Sequence, residues 1–269
     1  MLKKKYIGVA LACALALGAS GAAFATTVSV GGVKWDPNST FDLTVATSSL
    51  IETSVASPGD TLTGYGLVSG INQDTNFCSG CQLAYTFQYT VANTDPSTLQ
   101  VLFNAGAVNF YVLPSGTYNS KDPSNITTGT PWLTLTGHNS TITGYPTGWQ
   151  GDLFATASGS ITTPGTGSGG AGYLDATGGP AAIFMQTQTQ HDGLGGLADF
   201  FMTTNFSAIP GGSFVGGNGV TYAIEGGATI TGSTMPVPEP AEIGLLGLGL
   251  GVLGLMLRRR SKEEAEELS

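Results

Sequence analysis

The chain has 269 residues, 41 of them Gly and 13 Pro, a formal net charge of −9 and only 10% charged residues. So much Gly and Pro among short β-branched and aromatic runs excludes a helical bundle. Between the two ends, only Lys34 and Lys121 stand against twelve carboxylates from Asp36 to Glu225, an acidic balance that excludes nucleic acid and anionic lipid as partners.

Residues 1–25 read as a signal peptide. Lys3, Lys4 and Lys5 form its charged start, an apolar stretch follows from about Tyr6 to Gly18, and Ala23-Phe24-Ala25 gives the small-x-small pattern that signal peptidase cuts. Cleavage after Ala25 leaves a mature chain beginning at Thr26. The apolar stretch is shorter than the roughly 20 residues a spanning helix needs, which favours removal over a retained anchor.

Residues 26–234 are expected to form one exported β-rich domain. The clearest strand is "QLAYTFQYTV", where Leu83, Tyr85, Phe87, Tyr89 and Val91 alternate with polar or small residues. A period of two puts the aromatic set on a core face and leaves the other face to water. Further strands are predicted at "TLTGYGLVSGI", "VNFYVL", "WLTLTG", "DLFATASGSI", "AAIFMQTQTQ", "ADFFMTTNFSAI" and "VTYAIEGGATITG". Turn residues separate them, as at Ser57-Pro58-Gly59-Asp60, Thr94-Asp95-Pro96 and Tyr145-Pro146-Thr147-Gly148. The expected fold class is all-β, a single β-sandwich or jelly-roll-like domain. The Gly-rich segment from Thr162 to Gly172 is expected to be a long loop within it.

Cys78 and Cys81 are the only cysteines of the exported part. A redox pair wants a helix N-terminus and a zinc site wants two further ligands. Here a strand follows instead, and His138 and His191 are isolated in sequence. A disulfide across a tight turn suits an oxidising compartment best.

The chain contains no G-x-S-x-G, H-E-x-x-H or P-loop motif, so no catalytic residues are assigned and the protein is read as non-enzymatic. Asp36 with Asp42, and Asp192 with Asp199, flank short loops without matching a calcium-loop pattern. No metal and no cofactor are therefore expected. Among Trp35, Trp132 and Trp149, the last lies in a predicted turn, "TGWQG", where its ring is a candidate glycan contact. Thr pairs at 134/136, 141/143 and 229/231 fit the wetted face of a sheet as well as an ice-binding array.

Residues 235–260 carry the most specific pattern. Val237-Pro238-Glu239-Pro240 holds the backbone extended. An apolar segment, 241–257, follows, composed from Ile243 to Leu257 only of Leu, Ile, Val, Met and Gly. As a helix those fifteen residues reach about 22 Å, short of the roughly 30 Å hydrocarbon core. Arg258, Arg259 and Arg260 close it and hold that end in the cytoplasm. An acidic tail, 261–269, lies beyond.

This three-part ending resembles the PEP-CTERM sorting signal, also labelled the ice-binding protein C-terminal domain. The resemblance covers about the last thirty residues. It implies an inner-membrane-anchored precursor in a Gram-negative bacterium, processing by exosortase near Glu239, and release into the cell envelope or extracellular matrix. Glu242, where a small or apolar residue is usual, and the acidic tail depart from the family pattern. The expected function is that of an exported surface or matrix protein associated with exopolysaccharide, biofilm or floc formation. The alternative is a secreted carbohydrate-binding or carbohydrate-active protein using the same signal. Expected partners are signal peptidase and exosortase during export, and extracellular polysaccharide afterwards.

Overall fold

The computed structural model describes residues 27–235 together with Leu250. The leader with its Ala23, Ala25 and Thr26 cleavage residues, the Val237–Pro240 motif, the rest of segment 241–257 and Arg258–Arg260 lie outside the described residues. Among the described residues no helix is long and apolar enough to cross a membrane.

Eight strands make the body of the fold: β1 (Phe41–Glu52), β2 (Thr61–Leu67), β3 (Cys81–Asp95), β4 (Gln100–Pro114), β5 (Thr130–His138), β6 (Ser168–Gly178), β7 (Phe200–Ala208) and β8 (Ile224–Gly232). Each pairs antiparallel with the next in chain order. The last returns to the first, with Ile224 opposite Glu52 and Gly232 opposite Phe41. The result is a closed, eight-stranded, up-and-down barrel. The all-β expectation holds, but the two-layer sandwich is replaced by a ring. Alternation of apolar and polar residues is common to both architectures, and only the β8–β1 pairing separates them.

The predicted alternation of β3 is realised. Leu83, Tyr85, Phe87, Tyr89 and Val91 are all buried and point inward. Three of these rings lie over glycines of neighbouring strands. A methyl group at Gly64 would meet Phe87, one at Gly66 would meet Tyr85, and one at Gly106 would meet Tyr89. The glycines are thus places where an aromatic ring takes the room of a missing side chain. The outer face of β3 is not wholly wet, because Ala84 is buried in a second cluster with Ile51, Tyr65, Leu113, Ile126 and Tyr222. A 3₁₀ turn, Pro123–Thr128, capped by the Asp122 carboxylate, supplies Ile126, and a short hairpin, Phe214–Val215 with Thr221–Tyr222, supplies Tyr222.

The place of the fifth strand is filled in two pieces. β5 pairs with β4 through Ala107–Val112 and stops at His138. After the excursion 139–152, Leu153–Thr156 resumes the same slot, pairing with Gln100–Phe103 of β4 and Gly169–Gly172 of β6. The strand predicted over "DLFATASGSI" is therefore confined to these four residues.

Two other expectations are corrected. The Gly-rich stretch is strand from Ser168 onward, paired on both sides. A methyl group at Gly172 would sit 2.2 Å from the Asp152 carbonyl oxygen, and one at Gly170 would sit 2.8 Å from that of Phe154. Glycine here marks backbones in close approach, not a loop. The run "AAIFMQTQTQ" is a 3₁₀ turn at Ala182–Phe184 followed by irregular chain, with only Gln190–His191 in a short strand. A short apolar run fits a buried turn as well as a strand, and here Ala181, Ala182 and Met185 are buried.

One end of the barrel is plugged by an N-terminal hairpin, Val28–Val30 with Val33–Trp35. Trp35 meets Trp132, Phe184 and Phe41 edge-on at centroid distances of 5.9, 5.9 and 6.4 Å. Both indole N–H groups are satisfied. That of Trp35 donates to Thr234 Oγ1 (3.2 Å) and that of Trp132 to the Val30 carbonyl (3.0 Å).

Candidate functional site

Three places on the barrel gather chemistry. The first is a groove of about 570 Å³ on the outer wall of β2, β3 and β4. Thr63 and Tyr65 of β2, Thr86 and Gln88 of β3, and Asn109 of β4 project there, because their neighbours in sequence fill the barrel. Ser124 and Thr127 of the 3₁₀ turn, and Asn218 and Tyr222 of the short hairpin, form the rim. Tyr65 donates its hydroxyl to the Ser120 carbonyl (2.9 Å), and Asn218 Nδ2 donates to the Tyr222 hydroxyl (2.8 Å), which fixes both rings. No charged side chain lines the groove. Hydroxyls and amides beside fixed rings suit a neutral, hydroxyl-rich ligand.

The second place is the barrel interior away from the plug. A cavity of about 80 Å³ is lined chiefly by apolar side chains of β1, β3, β4, β7 and β8. Among them stands Glu52, only 8% exposed. Its partners across the sheet are Gly64 and Ile224. Burial in this apolar surround pushes its carboxyl up to about 8. The Tyr85 and Tyr89 hydroxyls are buried without hydrogen-bond partners. Burial raises the pKa of both, helped by Tyr118 and then Glu52 at Tyr85 and by Asp152 at Tyr89.

The third is a carboxylate–imidazole cluster at the break in the fifth strand. His138 Nδ1 lies 2.7 Å from Asp175 Oδ2 and its Nε2 lies 3.2 Å from Asp192 Oδ2. Burial opposes charge on His138, but the hydrogen bonds to Asp175 and Asp192 and their charges outweigh it and raise its pKa. Burial likewise pushes Asp192 up, yet the hydrogen bonds from His138 and from the Leu194 and Gly196 N–H groups bring it below the usual carboxylate range. With both ring nitrogens engaged by carboxylates, His138 has no lone pair left to take a proton from a substrate. The cluster ties the 192–196 loop to the wall. Asp199 does similar work, accepting from the Ala176 and Gln188 N–H groups at 2.9 and 2.8 Å.

The residues singled out in the sequence are dispersed. Cys78 and Cys81 form a disulfide, with Cα atoms 5.2 Å apart, at the start of β3 and close to the plug hairpin. Trp35 and Trp132 are core. Trp149 is half-buried in the excursion 139–152, where its backbone N–H donates to the Pro146 carbonyl (3.1 Å), and it does not line the groove. Asp36 caps its own turn by accepting from the Asn38 N–H and Ser39 hydroxyl, and Asp42 accepts from the Thr44 hydroxyl. Thr229 lies between Thr203 and Thr44 on the convex outer wall, a row one residue deep. Among the described residues no group of three or more His, Cys, Asp or Glu side chains is placed to hold a metal ion.

Sequence reading missed Glu52 and the His138 cluster. Glu52 shares the parity of Leu50 but not that of Leu43 and Val45, because a register shift between Val45 and Leu50 changes which residues of β1 face inward, so strict alternation along the strand would have placed it outside. The His138 cluster had no sequence signal, since its members are 37 and 54 residues apart. Compared with known proteins, the chain matches no family model, no curated protein and no solved structure.

Proposed function

We propose that the chain is an exported, non-enzymatic surface or matrix protein that holds neutral exopolysaccharide in the outer groove of its barrel. The observation that carries this reading is the uncharged lining of that groove. Thr63, Thr86, Gln88, Asn109, Ser124 and Asn218 present hydroxyls and amides beside Tyr65 and Tyr222 on a domain otherwise rich in carboxylates. A neutral polysaccharide avoids the repulsion an anionic one would meet. The reading also draws on the leader, the Val-Pro-Glu-Pro ending with its arginines, and a disulfide suited to an oxidising compartment. On this reading the precursor is held in the inner membrane of a Gram-negative bacterium, and exosortase releases the barrel to the envelope or matrix.

Binding of purified protein to crude exopolysaccharide and to a glycan array tests the groove. The expected result is retention by a neutral glycan, reduced at least about tenfold by Thr86→Arg, which places a long cation across the groove. Equal binding by the variant, or no binding to any preparation, would overturn the groove reading. Cell fractionation tests the sorting: full-length protein that stays in the inner membrane whether or not exosortase is present would count against it.

A further inference from the structure

The barrel interior holds an acidic side chain with no partner. The Glu52 side chain makes no hydrogen bond or ion pair with any described residue, and burial is what shifts its carboxyl. An isolated buried carboxylate is costly unless it is paired or stays protonated. The protein offers it no cation. Lys34 and Lys121, the two lysines among the described residues, are exposed, and no Lys, Arg or His lines the cavity.

What the cavity does offer is rings. Tyr85 and Phe87 are stacked with centroids 6.2 Å apart, Phe87 and Tyr89 are tilted at 6.3 Å, and Phe103 stands edge-on to Tyr89 at 6.3 Å. Aromatic faces attract a cation through their quadrupole, more strongly when water is excluded. The unpartnered Tyr85 and Tyr89 hydroxyls add acceptors for an N–H group. A carboxylate, several rings and free hydroxyl oxygens in an otherwise apolar space describe the complement of an organic cation. An anion would meet Glu52 with no compensating charge, and a purely apolar guest would leave the polar atoms unsatisfied.

We propose that the barrel interior binds a small apolar ammonium ion, its charge beside the Glu52 carboxylate and its alkyl groups against Tyr85, Phe87, Tyr89 and Phe103. The volume limits the guest. At about 80 Å³ the cavity is roughly half the size of one that accepts benzene, about 150 Å³. It therefore suits about four non-hydrogen atoms, the size of a methylated or short-chain amine. Val55, Ala157 and Ile161, from the loops at the barrel end opposite the plug, complete its lining. Phe87 lines both this cavity and the outer groove, whereas Glu52 and Phe103 line the cavity alone, so variants at these two test it independently of polysaccharide binding.

The probe is trimethylammonium, with tert-butanol, larger by one heavy atom, as a neutral trimethyl counterpart, each titrated into the full-length protein by calorimetry and ligand-observed NMR. Four heavy atoms allow a dissociation constant no tighter than tens of micromolar, and the expected value lies below about 1 mM. Glu52→Gln should weaken trimethylammonium at least about tenfold and leave tert-butanol unchanged, the loss expected when a desolvated ion pair is removed. Phe103→Leu, which keeps the carboxylate, should weaken the cation about three- to fivefold through the lost ring face. It carries the test if circular dichroism shows the Gln variant misfolded. Trimethylammonium binding that is absent, that is unchanged in both variants, or that is no tighter than tert-butanol would overturn the proposal.

Discussion

The two ends of the barrel are built from the same alternating strands and differ in how their polar atoms are treated. At the plugged end the Trp35 and Trp132 indoles each donate a hydrogen bond, and the rings around them interlock edge to face. Around the interior cavity the side chains of Glu52, Tyr85 and Tyr89 are buried and have no hydrogen-bond partner among the described residues. Satisfied polar groups stabilise a unique packing, whereas unsatisfied ones cost free energy until something occupies the space. One end therefore serves stability, and the cavity is where the proposed ammonium site lies.

The largest effect expected from this contrast lies at Glu52. Its folded-state pKa of about 8 stands above the ordinary value of 4.5, so the folded chain keeps a proton that the unfolded chain releases. Stability consequently falls as pH rises from about 4.5 to about 8, by up to about 5 kcal/mol. Urea unfolding at pH 5 and pH 9 measures this, and Glu52→Gln should abolish that part of the pH dependence. An unchanged pH profile would mean that the carboxylate is solvated in solution.

At the plugged end, Trp132→Ala removes a fully buried indole and should cost about 3–5 kcal/mol with little dependence on pH. Equal losses from Trp132→Ala and Phe103→Ala, the latter at the cavity, would erase the distinction between a packed and a spacious end. The nearby disulfide spans only three residues, so Cys78→Ser with Cys81→Ser should cost about 2 kcal/mol in equilibrium unfolding.

The smallest effect belongs to the wall between the two ends. Because His138 has a raised pKa, its contribution is fully present below the ordinary value of 6.5 and is lost as pH climbs through the folded value. The lowered pKa of Asp192 gives the opposite dependence, present above 3.8 and lost as pH falls through its folded value. His138→Asn should lower the melting temperature by about 2–4 °C at pH 6, and by less at pH 9.

Much of the fold was legible locally. The strand around Tyr85 and the turn at Ser57–Asp60 follow from period and turn chemistry: Gly59 has a φ of +93°, and Asp60 accepts from the Ala56 and Ser57 N–H groups. Glycine was misread in β6, because the same residue serves a loop and a crowded backbone, and only the positions of Asp152 and Thr204 show which. The buried run at Ala181–Met185 was misread for a related reason, since burial without period does not reveal backbone geometry. Of the candidate sites, the disulfide was legible from spacing. The groove and cavity were not, because each collects residues from strands far apart in the chain.

The sequence by itself determined an all-β chain, the inward face of β3 and the Cys78–Cys81 turn, because each depends on neighbours within a few residues. It also carries the terminal patterns on which the proposed export rests. Tertiary structure alone decided that β8 returns to β1, that the fifth strand breaks at His138, and that Glu52 faces rings with no cation. Those outcomes depend on which distant backbone completes each strand's hydrogen bonds, and a period of two is the same whichever partner does so.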